Sequence, residues 1–206
     1  MTLTVDPRIT DPGAVLRPEA LRTPLRLDLG GAASPYAPDE YTTVDLHGDA
    51  DVRGDITALP FADGVADAVW CSHVLEHLAI AEVPVALGEV MRVLAPGRRA
   101  VIRVPNFDYV AKYWLTGPDR GWAEAMVFGL QDGPGEFHKS AFTAQIVQAD
   151  LEAAGFEVLR VEMRWTHNQE TLQAVARKPR CVPPAAPRPM SPTTTPCPTR
   201  PASSSH

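Results

Sequence analysis

The chain is 206 residues long, 45% hydrophobic and 21% charged, with a formal net charge of −6. That length and composition suit one globular domain with loose ends. The acidic balance argues against broad nucleic-acid binding, which needs a basic face to neutralise phosphates. No apolar run approaches the roughly 20 residues that cross a bilayer, so no membrane role is expected. The start, Met1-Thr2-Leu3-Thr4-Val5-Asp6, lacks the basic and apolar regions of a signal peptide. Three widely spaced cysteines make no disulfide framework, which fits a reducing cytoplasm.

In chain order, residues 1–23 read as a lead-in with one short helical piece around Ala14 to Leu21. Leu25, Leu27 and Leu29 then alternate with polar residues and predict a first strand that runs into the turn Gly30-Gly31-Ala32-Ala33-Ser34. Pro35 and Pro38 resist a long helix after it. Tyr41 to Leu46 predicts a second strand and Asp51 to Ile56 a short third one. Ala66 to Ser72 predicts a fourth strand, apolar enough to be buried on both faces.

His73 to Leu78 is expected to start helical, and a helix follows from Val83, with Pro84 in its first turn and Pro96-Gly97 ending it. Arg99 to Pro105 predicts a fifth strand. Residues 106–139 look like an insertion of one or two helices and a mobile loop, whose Tyr109, Tyr113, Trp114 and Trp122 are expected to roof a pocket. Thr143 caps a helix through Ala154, closed by Gly155. Phe156 to Glu162 and Thr171 to Arg177 predict a closing antiparallel strand pair. About a third of residues 179–206 are proline, and this tail is expected to be disordered.

Strands alternating with helices, opened by a glycine turn, predict a three-layer α/β domain over residues 24–178 with a mostly parallel sheet. Ligands of such sheets sit at the carboxyl ends of the strands, where Gly30 and Gly31 lie. A dinucleotide site needs G-x-G-x-x-G, and its later glycines are missing here. Asp45, at the end of the second strand, can accept both hydroxyl hydrogens of a ribose. Asp55 can accept from an adenine amino group while Ile56 packs on the ring. Each aspartate is also a reasonable turn cap.

These motifs form a recognisable series. Leu27-Asp28-Leu29-Gly30-Gly31-Ala32, Val44-Asp45-Leu46, Gly54-Asp55-Ile56 through Asp63, Ala68 through Leu78, and Glu89-Val90-Met91-Arg92-Val93-Leu94-Ala95-Pro96-Gly97 follow in order over about residues 24–106. The chain resembles the class I S-adenosylmethionine-dependent methyltransferases, in the branch called type 11. The resemblance implies a Rossmann-like sandwich with a seven-stranded sheet and a reversed C-terminal hairpin. It implies that Asp28, Gly30 and Gly31 frame the methionine end of S-adenosylmethionine, Asp45 holds its ribose, and Asp55 and Ile56 meet its adenine. Ser72 and His73 would line the site. Ala32 and Ser34 stand where the family commonly has glycine.

His73-x-x-Glu76-His77 is the second feature. On a helix the three residues share a face. The spacing looks like the Glu-x-x-Glu-His metal motif of small-RNA ribose methyltransferases and some quinone O-methyltransferases, with His73 replacing the first carboxylate and His138 as the distant partner. Imidazoles with one carboxylate favour a divalent transition metal. His73 and His138 are also candidate general bases, and the cluster has a purely structural reading as a cap and packing element. The resulting expectation is methyl transfer to a small-molecule oxygen, a sugar first among acceptors. The alternative is an S-adenosylmethionine-binding sensor or assembly partner without catalysis.

Overall fold

In the computed structural model, which describes residues 24–31, 40–133, 135–166 and 169–180, seven strands form one mixed sheet. They are β1 (Arg26–Leu29), β2 (Thr42–Asp45), β3 (Val52–Arg53), β4 (Ala66–Ser72), β5 (Leu94–Pro105), β6 (Glu157–Thr166) and β7 (Gln169–Arg177). Their order is β3-β2-β1-β4-β5-β7-β6. Pairing is parallel from β3 through β5 and antiparallel for β5–β7 and β6–β7. This is the mixed Rossmann-like sheet with a reversed C-terminal hairpin that was expected. The helical piece at Ala14–Leu21, the proline-interrupted connection at 32–39 and the tail beyond Arg180 lie outside the described residues.

One sheet face carries the core. The register aligns Leu27 with Val69 and Val69 with Ala100, then Leu29 with Cys71 and Cys71 with Ile102. These side chains join Val83, Leu87 and Val90 of α1 (Val83–Val93) and Val147 and Leu151 of α4 (Ala144–Ala153) in one buried cluster. The other face differs from the expectation for β4. Ala68 and Trp70 are only half-buried, and the register sets Ala68 between Arg26 and Arg99, and Trp70 between Asp28 and Val101. The Arg103 guanidinium lies 4.4 Å over the Trp70 ring and its Nε donates to Gln173 Oε1 at 2.8 Å.

Two boundaries moved for local reasons. Helix α1 stops at Val93, and β5 begins at Leu94 instead of Arg99. Pro96 disfavours the helical region for Ala95, so the chain leaves the helix before reaching the proline. After β4 the chain does not enter an α-helix. His73 takes φ +58, and only a 3₁₀ turn, Leu75–His77, follows. In such a turn, residues three apart stack over one another. The insertion contributes α2 (Phe107–Thr116) and α3 (Arg120–Phe128), capped by Asn106 and Asp119, and Thr143 caps α4 as expected.

Sequence reading missed one device that holds the loop after β3. Arg92 on α1 reaches across to it. Its guanidinium donates to the carbonyls of Phe61 at 2.6 Å and Leu59 at 2.9 Å. It also donates to Glu89 Oε1 and Oε2 at 2.7 and 2.8 Å, and Glu89 Oε2 accepts the Leu59 N–H at 2.8 Å. One ion pair thus fastens residues 59–61 to α1, and Asp63 adds a further contact at 2.9 Å.

Two measurements check this packing. Leu87 is fully buried, so Leu87→Ala is expected to cost about 2–5 kcal/mol in urea denaturation. The Glu89 carboxyl is held below its ordinary value, first by the hydrogen bonds from Arg92. Its stabilisation is therefore complete above the unfolded carboxylate pKa of about 4.3 and is lost as pH falls through the lower folded value. Glu89→Gln is expected to lower stability at neutral pH and to flatten the acid side of the stability–pH curve. An unchanged acid limb would show that the pair does not couple to folding.

Candidate functional site

The strand order turns around between β1 and β4, which places the ends of β2, β1 and β4 side by side. Such a switch point opens a crevice above the sheet. Gly30 sits there at φ +77, and its N–H donates to the Val44 carbonyl at 2.8 Å. A Cβ on Gly30 would lie 2.3 Å from Val74 Cγ2, and one on Gly31 would lie 2.2 Å from Asp28 Oδ2. Asp28 is 1% exposed. It packs beneath the turn and shapes it.

Asp45 and Asp55 share a design. Asp45 Oδ1 accepts the N–H groups of His47 and Gly48, both at 2.8 Å. Asp55 Oδ1 accepts from Thr57 N at 2.8 Å and Thr57 Oγ1 at 2.7 Å. Each aspartate therefore is a turn cap. Each also keeps Oδ2 without a hydrogen-bond partner among the described residues, on a carboxylate whose orientation is already fixed. Ile56 beside Asp55 is 9% exposed and packs into the core margin.

Beyond β4, Ser72 is buried and its Oγ has no partner among the described residues. His73 donates its backbone N–H to the Arg103 carbonyl at 2.9 Å, and its Nδ1 lies 3.0 Å from Glu76 Oε1. A positive φ on a non-glycine residue stores strain, and here the ring–carboxylate contact accompanies it. Glu76 is 2% exposed, and its Oε2 has no partner among the described residues.

The segment after α3 closes over this point. Lys139 N and Ser140 N donate to the Glu76 carbonyl at 2.7 and 3.1 Å, and Ser140 Oγ donates to the Leu75 carbonyl at 2.9 Å. His138 thereby arrives beside His77, with ring centroids 4.9 Å apart and the rings edge to face. His138 Nδ1 lies 2.9 Å from the Met126 carbonyl and His77 Nδ1 lies 3.3 Å from the Phe137 carbonyl. Burial holds the His138 imidazole below its ordinary pKa, opposed in part by the Glu76 charge, so its neutral form is favoured.

Glu76, His77 and His138 each bring a donor atom within 4.8 Å of the other two. His73 stands outside that group, with its Nδ1 3.0 Å from Glu76 Oε1. His73 precedes the 3₁₀ turn and takes φ +58, so 73, 76 and 77 do not line up along one face as an α-helix would place them.

A small cleft opens beside the cluster, lined by Glu76, His138, Pro105, Phe107, Met126 and Phe142 among others. Tyr109, Tyr113, Trp114 and Trp122 do not line this cleft. Tyr109, Tyr113 and Trp122 stack on one another at 4.5–6.1 Å and on Trp165 at 5.8 Å, and Trp114 packs on Phe128 at 5.9 Å. They hold the α2–α3 pair together. The cleft walls come from Phe107, Met126 and Phe142, which sequence reading had not singled out. Cys71 is fully buried in the core, where burial pushes its thiol pKa up, so it is not a reactive thiol.

Comparison with known proteins agrees with this fold. Residues 24–102 match the methyltransferase domain family numbered 11. No curated protein sequence matches the chain. Among solved structures, an S-adenosylmethionine-dependent methyltransferase from Methanosarcina mazei superposes with a TM-score of 0.56 at 18% identity, covering 85% of this chain and 98% of that one. The methyltransferase solved with the Haloferax volcanii Trm112 activator gives 0.53 at 16% identity, covering 77% and 83%. The Burkholderia thailandensis 1,6-didemethyltoxoflavin-N1-methyltransferase, solved with its substrate and S-adenosylhomocysteine, gives 0.52 at 20% identity, covering 75% and 71%. At these identities the structures establish the fold. The family match covers β1 to β4 and most of β5, so residues 24–102 are similar to a methyltransferase domain of the type 11 kind, on the fold that S-adenosylmethionine-dependent methyltransferases share.

Proposed function

We propose that this enzyme methylates an oxygen of a small molecule held in the cleft between Glu76 and the α2–α3 insertion. S-adenosylmethionine would lie over Gly30 and Gly31, with its ribose on the open oxygen of Asp45 and its adenine between Asp55 and Ile56. Ser72 and His73 would border the methyl group. Methyl transfer breaks the sulfonium C–S bond as the C–O bond forms, and the hydroxyl proton has to leave. Alignment of donor and acceptor supplies most of the rate, up to roughly 7–11 kcal/mol of barrier.

The observation that carries the oxygen reading is the polar cluster at the cleft. An amine acceptor attacks as a neutral nucleophile and needs no buried carboxylate beside it. A hydroxyl needs a group that receives its proton or makes it acidic. His138 borders the cleft and governs that step, while His73 acts behind it through Glu76. The same cluster has the donor set for a divalent ion. Apolar walls from Phe107, Met126 and Phe142 suit an acceptor with an apolar face and a hydroxyl edge. A saccharide is the first class proposed.

Two experiments test this. Asp45→Asn removes a charge-assisted bond, worth about 1.5–3 kcal/mol, and is expected to weaken S-adenosylhomocysteine binding at least about tenfold by calorimetry. Unchanged affinity in a folded variant would remove Asp45 from the cofactor site. S-adenosylhomocysteine release is then followed across a panel of sugars, phenols and amines. Turnover on hydroxyl acceptors, lowered about 10²–10⁴-fold by His138→Gln with cofactor affinity kept, is expected. Turnover confined to amines overturns the oxygen reading.

A further inference from the structure

Arg103 on β5 is a half-buried cation on the polar face of the sheet. Its guanidinium lies 4.4 Å over the Trp70 ring, and its Nε donates to Gln173 Oε1 at 2.8 Å. No carboxylate pairs with it among the described residues, and its two terminal nitrogens have no acceptor there. Glu162 stands on the same face but is committed elsewhere. The register runs from Arg103 to Gln173 to Glu162, and Glu162 Oε1 accepts from Arg164, Gln173 Nε2 and Arg160 at 2.8, 2.9 and 3.3 Å. Gln173 therefore separates the arginine from that acid while fixing its Nε. Burial lowers the Arg103 pKa, and the Arg164 charge lowers it further. Both effects disfavour the bare cation, and a bound anion would relieve both.

Two neighbouring donors point the same way independently. Ser72 pairs with Arg103 in the parallel register, so the two residues share a sheet face, and Trp70 lies two residues back on that face. Ser72 is 5% exposed, and its Oγ has no partner among the described residues. The Trp70 Nε1 is buried and has none either. Buried donors without acceptors are costly to keep. A guanidinium held by stacking and through Nε keeps its terminal nitrogens as a planar fork, the shape that matches a carboxylate or a phosphate.

We propose that Arg103, flanked by the Ser72 hydroxyl and the Trp70 N–H, binds the carboxylate or phosphate of an acidic acceptor. Position favours the acceptor over the cofactor as the source of that anion. The glycine turn ends β1, and β4 stands between β1 and β5. Pro105, two residues beyond Arg103 on the same strand face, lines the cleft. An anion on Arg103 thus lies between the cleft and Ser72, which borders the methyl position. A neutral sugar would leave the guanidinium desolvated and unpaired, whereas a sugar acid, a hydroxybenzoate or a phosphorylated alcohol would pair it. The acceptor role rests on the methyl-transfer reading; the anion site itself does not.

The test uses full-length protein saturated with S-adenosylhomocysteine and titrated by calorimetry with inorganic phosphate, glucuronate and glucose at constant ionic strength. Both anions are expected to bind at least about tenfold more tightly than glucose. Arg103→Met keeps an apolar stem over Trp70 and is expected to weaken both about 10–100-fold, the loss of a charge-assisted contact. Arg103→Lys, which keeps the charge without the fork, is expected to fall between. Unchanged melting temperature and S-adenosylhomocysteine affinity show that the variants fold. In turnover, the preference for glucuronate over glucose, and for 4-hydroxybenzoate over 4-hydroxybenzyl alcohol, is expected to drop by the same factor in Arg103→Met. Absence of anion binding, or binding and preference that survive Arg103→Met, overturns the proposal. Loss of S-adenosylhomocysteine affinity in a variant of unchanged melting temperature assigns the arginine to the cofactor's own carboxylate and overturns it as well. Arg103-dependent anion binding without turnover of any hydroxyl acceptor leaves the anion site standing and overturns the oxygen reading instead.

Discussion

The structure depends on the absence of two side chains at the end of β1. The turn can pack where it does because Gly30 and Gly31 carry no Cβ. One would sit 2.3 Å from Val74 Cγ2, the other 2.2 Å from Asp28 Oδ2. The two glycines therefore let the turn pass close to Val74 on one side and to Asp28 on the other. Val74 follows β4 and Asp28 belongs to β1 itself, so the glycine turn fits between the ends of the two central strands, which pair in parallel register up to Leu29 and Cys71. A backbone that approaches this closely also leaves its own surface bare to a ligand. The cost is that neither position tolerates a larger residue without displacing a neighbour.

Around that turn the site is built from fixed carboxylates. Asp45 and Asp55 each commit one oxygen to their own loop and keep the other available. Turn capping and ligand binding are often treated as rival explanations of an aspartate. Here one oxygen serves the first and the second oxygen is left for the other, because a carboxylate has acceptor capacity to spare. The loop bearing Asp55 is in turn fastened by Arg92 and Glu89 on α1. Rigid anchoring of the loop lowers the ordering entropy that a bound nucleoside would otherwise have to offset.

Much of this was legible in the chain. The seven strands, the capped helices and the placement of Asp45, Asp55 and Ser72 at strand ends follow from period-two runs, Thr143, Gly155 and the turn residues. What was not legible has specific causes. Pattern reading assigns helix to His73–Leu78 because nothing in its composition forbids one, whereas the chain turns at His73 with φ +58 and closes a 3₁₀ turn. The aromatics of the insertion were placed over the pocket because sequence reveals their size and not their partners. Their mutual stacking, extended to Trp165 on β6, is a long-range fact. Arg92 was hidden for a similar reason. Glu89 and Arg92 look like an ordinary surface pair three apart, and only the approach of residues 59–61 turns them into an anchor.

The His73 turn and the metal-type cluster are one structural event. Had an α-helix followed β4 directly, His73, Glu76 and His77 would have shared a face. Instead His73, left-handed ahead of the 3₁₀ turn, contacts Glu76 through Nδ1, and the His77 ring lies edge to face with that of His138. The strain of a left-handed histidine is therefore matched by a division of labour, with one imidazole behind the carboxylate and two beside it. This arrangement explains why the closing segment is secured through the Glu76 carbonyl by Lys139 and Ser140. The backbone of Glu76 positions the segment that brings His138, while its side chain supplies the buried oxygen. Both halves of the cluster are thus indexed to a single residue, and displacement of Glu76 would disturb the cleft wall and the donor set together.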